Sequence, residues 1–351
     1  SGVVPQITAV FGNCGGGMAV ASAMSDFTFM ESKKAKLFVN APNALAGNDG
    51  SKCDTACAKF QSEEVGIVDV VAEEAELIAQ IRELVSMLPA NNEDDLSYTD
   101  CEDDLNRVCA DLEASAADPA IALPMISDDG VFFETKAEYG KDMVTGFIKL
   151  NGTTVGAVAN RSTLYDEDGN AVEQFNAEMS ARGCEKAASF VKFCDAFNIP
   201  VLTLTNAASF KATKCTEKKI AKAAAALTAA FAEADVPKVN VVTGKAFGSA
   251  YVTMNSKGLG ADIVYAWPNA QIGMMDAKMA VKVMYPEADA KELREKAAAY
   301  AELQNSVASA AKRGYVDTVI DAQDTRKYVI GAFEMLFTKR EDRPGKKHGT
   351  V

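Results

Sequence analysis

Apolar residues along this chain fall in short continuous or alternating runs set between longer amphipathic stretches, a pattern that predicts strands alternating with helices. In the first third the strand-like runs are QITAVF (6–11), DFTFM (26–30), AKLFVN (35–40) and VGIVDVV (65–71). EEAELIAQIRELVSML (73–88) follows with helical spacing and is stopped by Pro89. Later, MVTGFIKL and TTVGAVAN flank Asn151-Gly152, a strong hairpin signal, and TTVGAVAN reads as half-buried. A helix over about 172–197 leads to VLTLT (201–205), an alanine-rich helix (217–233), VNVVT (239–243) and ADIVYAW (261–267). A helix over about 287–313 and a last one after Asp324 complete an α/β chain.

One segment occurs twice, 232 positions apart. Val4-Pro5 answers Val236-Pro237, Val10 answers Val242, Gly12 answers Gly244, Gly16 answers Gly248 and Val20 answers Val252, all without a gap. Each copy runs from a β-branched stretch through a tight turn (GNCGGG, GKAFGS) into small and apolar residues (MAVASAM, AYVTM). That is a strand, a glycine turn and the start of a helix, and repetition at so long a spacing implies two related domains.

The turn carries chemistry through its backbone. A helix start leaves up to four N–H groups without intrahelical acceptors, with the positive end of the helix dipole behind them. Glycines let a ligand come close to those donors, and two N–H groups aimed at a carbonyl oxygen that gains charge form an oxyanion hole. The same glycines could serve only close strand–helix packing; a second matched copy weighs toward chemistry. The spacing also measures a difference between the copies. Gly244 lies 115 positions beyond Asp129, whereas Gly12 lies 11 beyond the first residue, so duplicate domains imply that roughly 104 residues of the first are absent. The expected division is 1–118, the end of a first domain plus a solvated acidic connector (91–118), and 119–351, the second domain.

Composition narrows the function classes. The chain has 351 residues, 48% of them hydrophobic, and a net charge of −13, enough for two cores and unsuited to a nucleic-acid partner. No apolar run is long enough to cross a bilayer and no signal-peptide pattern opens the sequence, which leads to the expectation of a cytoplasmic protein. The eight cysteines contain no C-x-x-C, and His348 is the single histidine, so neither a zinc site nor a Ser-His or Cys-His nucleophile is expected. The basic tail (Lys339, Arg340, Arg343, Lys346, Lys347) reads as a solvated terminus, with pairing to phosphates as the alternative.

Beyond the two turns, SMLPANN (86–92), DDGVFFE (128–134), VKFCDAFNIPVLTLT (191–205), KAFGSAYVTM (245–254), GADIVYAWPNAQIGMM (260–275), RGYVDTVIDAQDTR (313–326) and KREDRPGKKHG (339–349) resemble the carboxyltransferase subunits of biotin-dependent acyl-CoA carboxylases and decarboxylases. The resemblance spans nearly the whole chain except about 43–60 and the connector. It implies two tandem crotonase-like domains of spiral ββα units, the first incomplete, with sites formed between the first domain of one subunit and the second of its dimer partner. Carboxyl transfer between N1 of biotin and the α-carbon of an acyl-CoA builds two anions, hence two holes. By the resemblance, Gly16 and Gly17 form one, Gly248, Ser249 and Ala250 the other, and Phe247, Tyr251 and Val252 line the ligands. No side-chain base or metal is implied.

The implied partners are a second copy in a homodimer or hexamer, a biotin carboxyl carrier protein, and a biotin carboxylase or a membrane decarboxylase subunit. Direction stays open, since a sodium-pumping decarboxylase α subunit uses the same half-reaction. A non-catalytic assembly or remnant subunit is the third reading. The sequence departs from the family's usual V-P-G-F turn at Asn206-Ala207-Ala208-Ser209-Phe210, which the lysine-rich stretch Lys211 to Lys222 follows.

Overall fold

A computed structural model describes residues 2–94 and 98–341. Its first part is built from parallel strands. β1 (Ile7–Val10) is followed by β2 (Asn13–Gly15), helix α1 (Gly17–Ser22), β3 (Phe27–Glu31), β4 (Lys36–Phe38), β5 (Val70–Ala72) and helix α2 (Glu74–Met87). β3 lies between β1 and β5, and β2 pairs separately with β4. α2 carries Glu74 and Glu76 in its first turn, where the dipole favours acids, and buries Leu77, Leu84 and Met87.

The second part opens with β6 (Phe132–Thr135), β7 (Met143–Leu150) and β8 (Thr153–Asn160), an antiparallel meander. Asn151 and Gly152 join β7 to β8, both at positive φ (49° and 74°), as a twisted two-residue hairpin requires. Small strands β9 (Thr163–Tyr165), β10 (Ala171–Gln174) and β11 (Glu178–Met179) precede helix α3 (Ala181–Ala196). Next come β12 (Val201–Ala207), β13 (Ser209–Phe210), helices α4 (Lys214–Glu217) and α5 (Ile220–Glu233), the long β14 (Lys238–Phe247) and helix α6 (Gly248–Thr253). β15 (Ile263–Ala266), β16 (Gln271–Gly273), helices α7 (Ala277–Met284), α8 (Ala290–Tyr300) and α9 (Val307–Lys312), β17 (Thr318–Val319) and helix α10 (Thr325–Leu336) complete the order. The main sheet runs β17-β15-β14-β12-β8-β7-β6, with β16 on the upper half of β14.

The repeat is repeated in the hydrogen bonding. Ile7 pairs with Phe27 and Val239 with Ile263; Asn13 pairs with Lys36 and Lys245 with Gln271. In both copies one strand leads into a glycine turn after crossing from one parallel partner to another. The α/β class expected from the sequence is the class observed.

One face of the main sheet packs on α3 and α5, the other on α10 and the segment 109–126. The first part shares the former core: Phe27 meets Phe193 edge-on at 4.7 Å between ring centroids and Phe147 at 6.0 Å. Lys186 on α3 is buried there, its Nζ donating to the carbonyls of Lys136, Tyr139 and Met143, and burial pulls its pKa down to about 8.

Several elements differ from the sequence reading. TTVGAVAN is buried nearly throughout, because β8 sits inside the sheet between β7 and β12 with both faces covered. The helix expected from 172 begins at Ala181, where Ser180 caps it; residues 171–174 instead pair with β9. The expected 287–313 helix breaks at Asn305, whose amide donates to Met275 O, and Ser306 caps α9. Within 65–71 only Val70 and Val71 are in a strand, since Gly66 is left-handed and closes a turn on the Tyr139 ring.

The connector is not simply solvated. Cys109 and Leu112 are buried, and Arg107 binds Asp103 at 2.9 Å. The fully buried Arg326 reaches Asp128 at 2.7 Å and Asp103 at 3.3 Å. Lys339, assigned above to a solvated tail, is buried against Asp262 at 2.9 Å. Arg343, Lys346, Lys347 and His348 lie outside the described residues.

Candidate functional site

The two glycine turns are alike in geometry. Gly16 has φ 61° and ψ −126°, a conformation open to glycine, and Gly248 has φ 55°. Gly16 N–H donates to Phe38 O at 2.9 Å, tying the turn to β4. The first bonds of α1 run from Ala19 and Val20 to Gly16 O, so the N–H groups of Gly17 and Met18 precede the helical ladder. A side chain at Gly16 or Gly17 would meet no atom within 4 Å; that space is open to a ligand. At Gly248 a Cβ would stand 2.9 Å from Met274 O.

Exposure repeats as well. Gly16 and Gly248 are half-buried, Gly17 and Ser249 are exposed, Ala19 and Tyr251 are buried, and Val20 and Val252 are exposed. Gly17 and Ser249, the first residues after the positive-φ glycines, are thus accessible while the following turn of helix anchors in the core; the copies differ one residue on, where Met18 is exposed. Ala250 is buried. Of the residues expected to line ligands, Phe247 (3% exposed) and Tyr251 (7%) face the interior, and Val252 (47%) faces out. The Tyr251 hydroxyl has no hydrogen-bond partner among the described residues, and burial, followed by Tyr315, pushes its pKa up to about 12. What the two turns share is a glycine at positive φ followed by the N–H groups of a helix start, which can donate to an oxyanion.

The structure does not bring the two turns into one cluster. Ala19 packs with Val10, Met30 and Leu37, whereas Ala250 packs with the α3/α5 core and Tyr251 with Val242 and Val264. A cavity of about 810 Å³ lies elsewhere, at the N-terminal ends of β12 and β14 against Pro200, Val236 and Phe337. Among the described residues no group of acids, cysteines or histidines could hold a metal ion. No described helix is long and apolar enough to cross a membrane.

Sequence reading missed the apolar surface beside the second turn. Met274 (79% exposed), Met279 (64%) and Val283 project from the start and outer face of α7. Asp276, which caps α7 by accepting from Lys278 and Met279 N–H, and the spacing of Met275, Met279 and Val283 were the available signals.

A strand-to-helix glycine turn built twice on one register marks this α/β chain as a duplicated fold, and the comparisons give its class, a carboxyltransferase enzyme. The chain belongs to the carboxyl transferase domain family, which matches it over residues 1–351. It is 36% identical over 372 residues to the carboxyltransferase subunit of propionyl-CoA carboxylase from Haloferax mediterranei, covering 100% of this chain and 70% of that protein. It is 35% identical over 376 residues to the methylmalonyl-CoA decarboxylase α subunit of Propionigenium modestum, covering 100% of this chain and 69% of that protein. The structure superposes on hexameric transcarboxylase 12S, solved with hydrolyzed methylmalonyl-coenzyme A bound, with a TM-score of 0.92 at 35% identity, covering 99% of this chain and 68% of that one.

Proposed function

We propose that this chain moves a carboxyl group between biotin on a carrier protein and the α-carbon of a short acyl-CoA of the acetyl, propionyl or methylmalonyl class, in the cytoplasm. The observation that carries this is the pair of matched turns, each with a positive-φ glycine and N–H groups ahead of the helical ladder. Biotin supplies or accepts the carboxyl group. The Gly16–Gly17 turn holds one developing oxyanion through the N–H of Gly17, since the Gly16 N–H is taken by Phe38 O and Gly16 only shapes the turn, and the turn of Gly248, Ser249 and Ala250 holds the other. Val252, exposed one helical turn beyond Gly248, touches the acyl group and favours an uncharged one. Phe247 and Tyr251 act from behind, packing the turn against the core so that its donors keep their aim.

The active assembly in this reading is a homodimer or hexamer, because one chain leaves its two turns apart. It works with a biotin carboxyl carrier protein and with either a biotin carboxylase or a membrane decarboxylase subunit. Both directions have support, since the relatives include carboxylases and decarboxylases. The test follows acyl-CoA products by mass spectrometry with and without biotin. The protein should decarboxylate malonyl- or methylmalonyl-CoA only when biotin is present. Biotin-independent turnover of an enoyl-CoA would overturn the assignment.

A further inference from the structure

Six lysines gather beside the second glycine turn. Ala207 on β12 pairs in register with Ala246 on β14, which places the segment after β12 against the strand that feeds the turn. β13 then packs on α6 itself. The chain continues through Lys211, Lys214, Lys218, Lys219 and Lys222, all exposed, and Lys245 is exposed three residues before Gly248. None of the six forms an ion pair among the described residues. Glu217 is the one acid between Lys211 and Lys222, in a chain whose net charge is −13.

This platform is ordered. Lys211 N–H donates to Met179 O at 2.9 Å, and the Thr213 hydroxyl accepts from Thr216 N–H to cap α4. It also works against local stability: Lys218, Lys219 and Lys222 crowd the N-terminal end of α5, whose first turn has no acid to meet the positive end of its dipole. A cluster that breaks a local rule, with no ion pair to offset it among the described residues, is a candidate for function outside the fold.

We propose that these lysines dock an acidic face of the carrier domain that brings biotin to the site the second turn helps to form. The inference rests on the function proposed above and adds the recognition surface. A phosphate pocket converges its donors on one point. These lysines instead lie along a strip of exposed helix and turn, and the 810 Å³ cavity is lined by other residues. A run of exposed point charges suits a protein surface. On a chain of net charge −13, an acidic carrier needs such a local positive region to be steered to the turn and held there.

The test uses three probes: a biotinylated carrier domain of net negative charge, the same domain with surface Asp and Glu changed to Asn and Gln, and free biotin. Fluorescence anisotropy should show the protein binding the acidic carrier more tightly than the neutralised one, and more weakly as salt rises. The variant K214E/K218E/K222E should bind the acidic carrier about tenfold or more weakly at low salt, through a slower association rate. Its turnover with free biotin and its KM for acyl-CoA should be unchanged. K214Q/K218Q/K222Q, which only removes charge, should show a smaller loss in the same direction and provides the test if the reversal variant fails to fold. Unchanged carrier affinity in both variants overturns the proposal. So does a raised KM for acyl-CoA with free biotin, which would assign the lysines to the thioester's phosphates. If carrier binding responds as described while no acyl-CoA is turned over with free biotin, the docking surface stands and the proposed reaction falls.

Discussion

Gly248 is a residue for which alternatives are costly on two counts. Its φ of 55° disfavours any side chain, and a Cβ would press on Met274 O at 2.9 Å. Gly16 shares the conformation but faces open space, so a substitution there intrudes on whatever the turn receives. Gly248→Val should reduce carboxyl transfer on the order of 10²–10³, the scale for losing one oxyanion-hole donor. Steady-state kinetics beside far-UV circular dichroism checks this. Wild-type turnover in a folded variant would mean that the turn serves packing alone.

The segment from Asp103 to Arg107 clamps the acidic connector to the second part through charge. Hydrogen bonds from Arg107 hold the Asp103 carboxyl down to about 2 against a desolvation that works the other way, and Asp129 N–H and Arg326 assist. A carboxyl whose pKa is depressed by folding binds fewer protons in the native than in the unfolded state at mildly acid pH. Its stabilisation is therefore complete above the ordinary value of 3.8 and is lost as pH falls from there toward about 2. Asp103→Asn should lower stability at pH 7 and flatten the acid limb between those values. Urea titrations at pH 7 and across that window read both effects, and an acid limb as steep as wild type would refute the clamp. Arg326→Ala is more severe: it strands Asp128 in the interior, at a cost of about 3–5 kcal/mol for breaking a buried pair.

At the scale of the molecule, each turn is bordered by exposed apolar side chains. Met18, Met24 and Val39 stand near the first, and Val252, Met274, Met279 and Val283 near the second. Apolar surface concentrated at two places that a single chain holds apart is suited to being covered by a second copy, first turn to second turn. Light scattering at micromolar concentration should report a dimer or a multiple of one. Met279→Glu combined with Val283→Glu should shift it toward monomer and reduce transfer together. A stable wild-type monomer, or a charged variant that stays assembled, would contradict this pairing.

Much of the architecture was legible in the chain. The 232-residue repeat, the Asn151-Gly152 hairpin, the VLTLT and VNVVT strands and the two glycine turns follow from local backbone preferences and from burial periodicity, which neighbouring residues report directly. Tertiary contacts decided what local pattern leaves open. Residues 171–174 carry a helix-compatible sequence, yet pairing with β9 holds them extended. The acidic connector looked solvated because its partners are remote: Arg326 binds Asp104 O, Ile126 O and Asp128 from 222, 200 and 198 positions away. Periodicity states that a position is covered and never by what. Sequence alone therefore determined the repeated strand, glycine turn and helix start. Only the folded chain decided that the two turns anchor in different cores and that lysines without an ion pair among the described residues flank the second, because both depend on which distant segments share a surface.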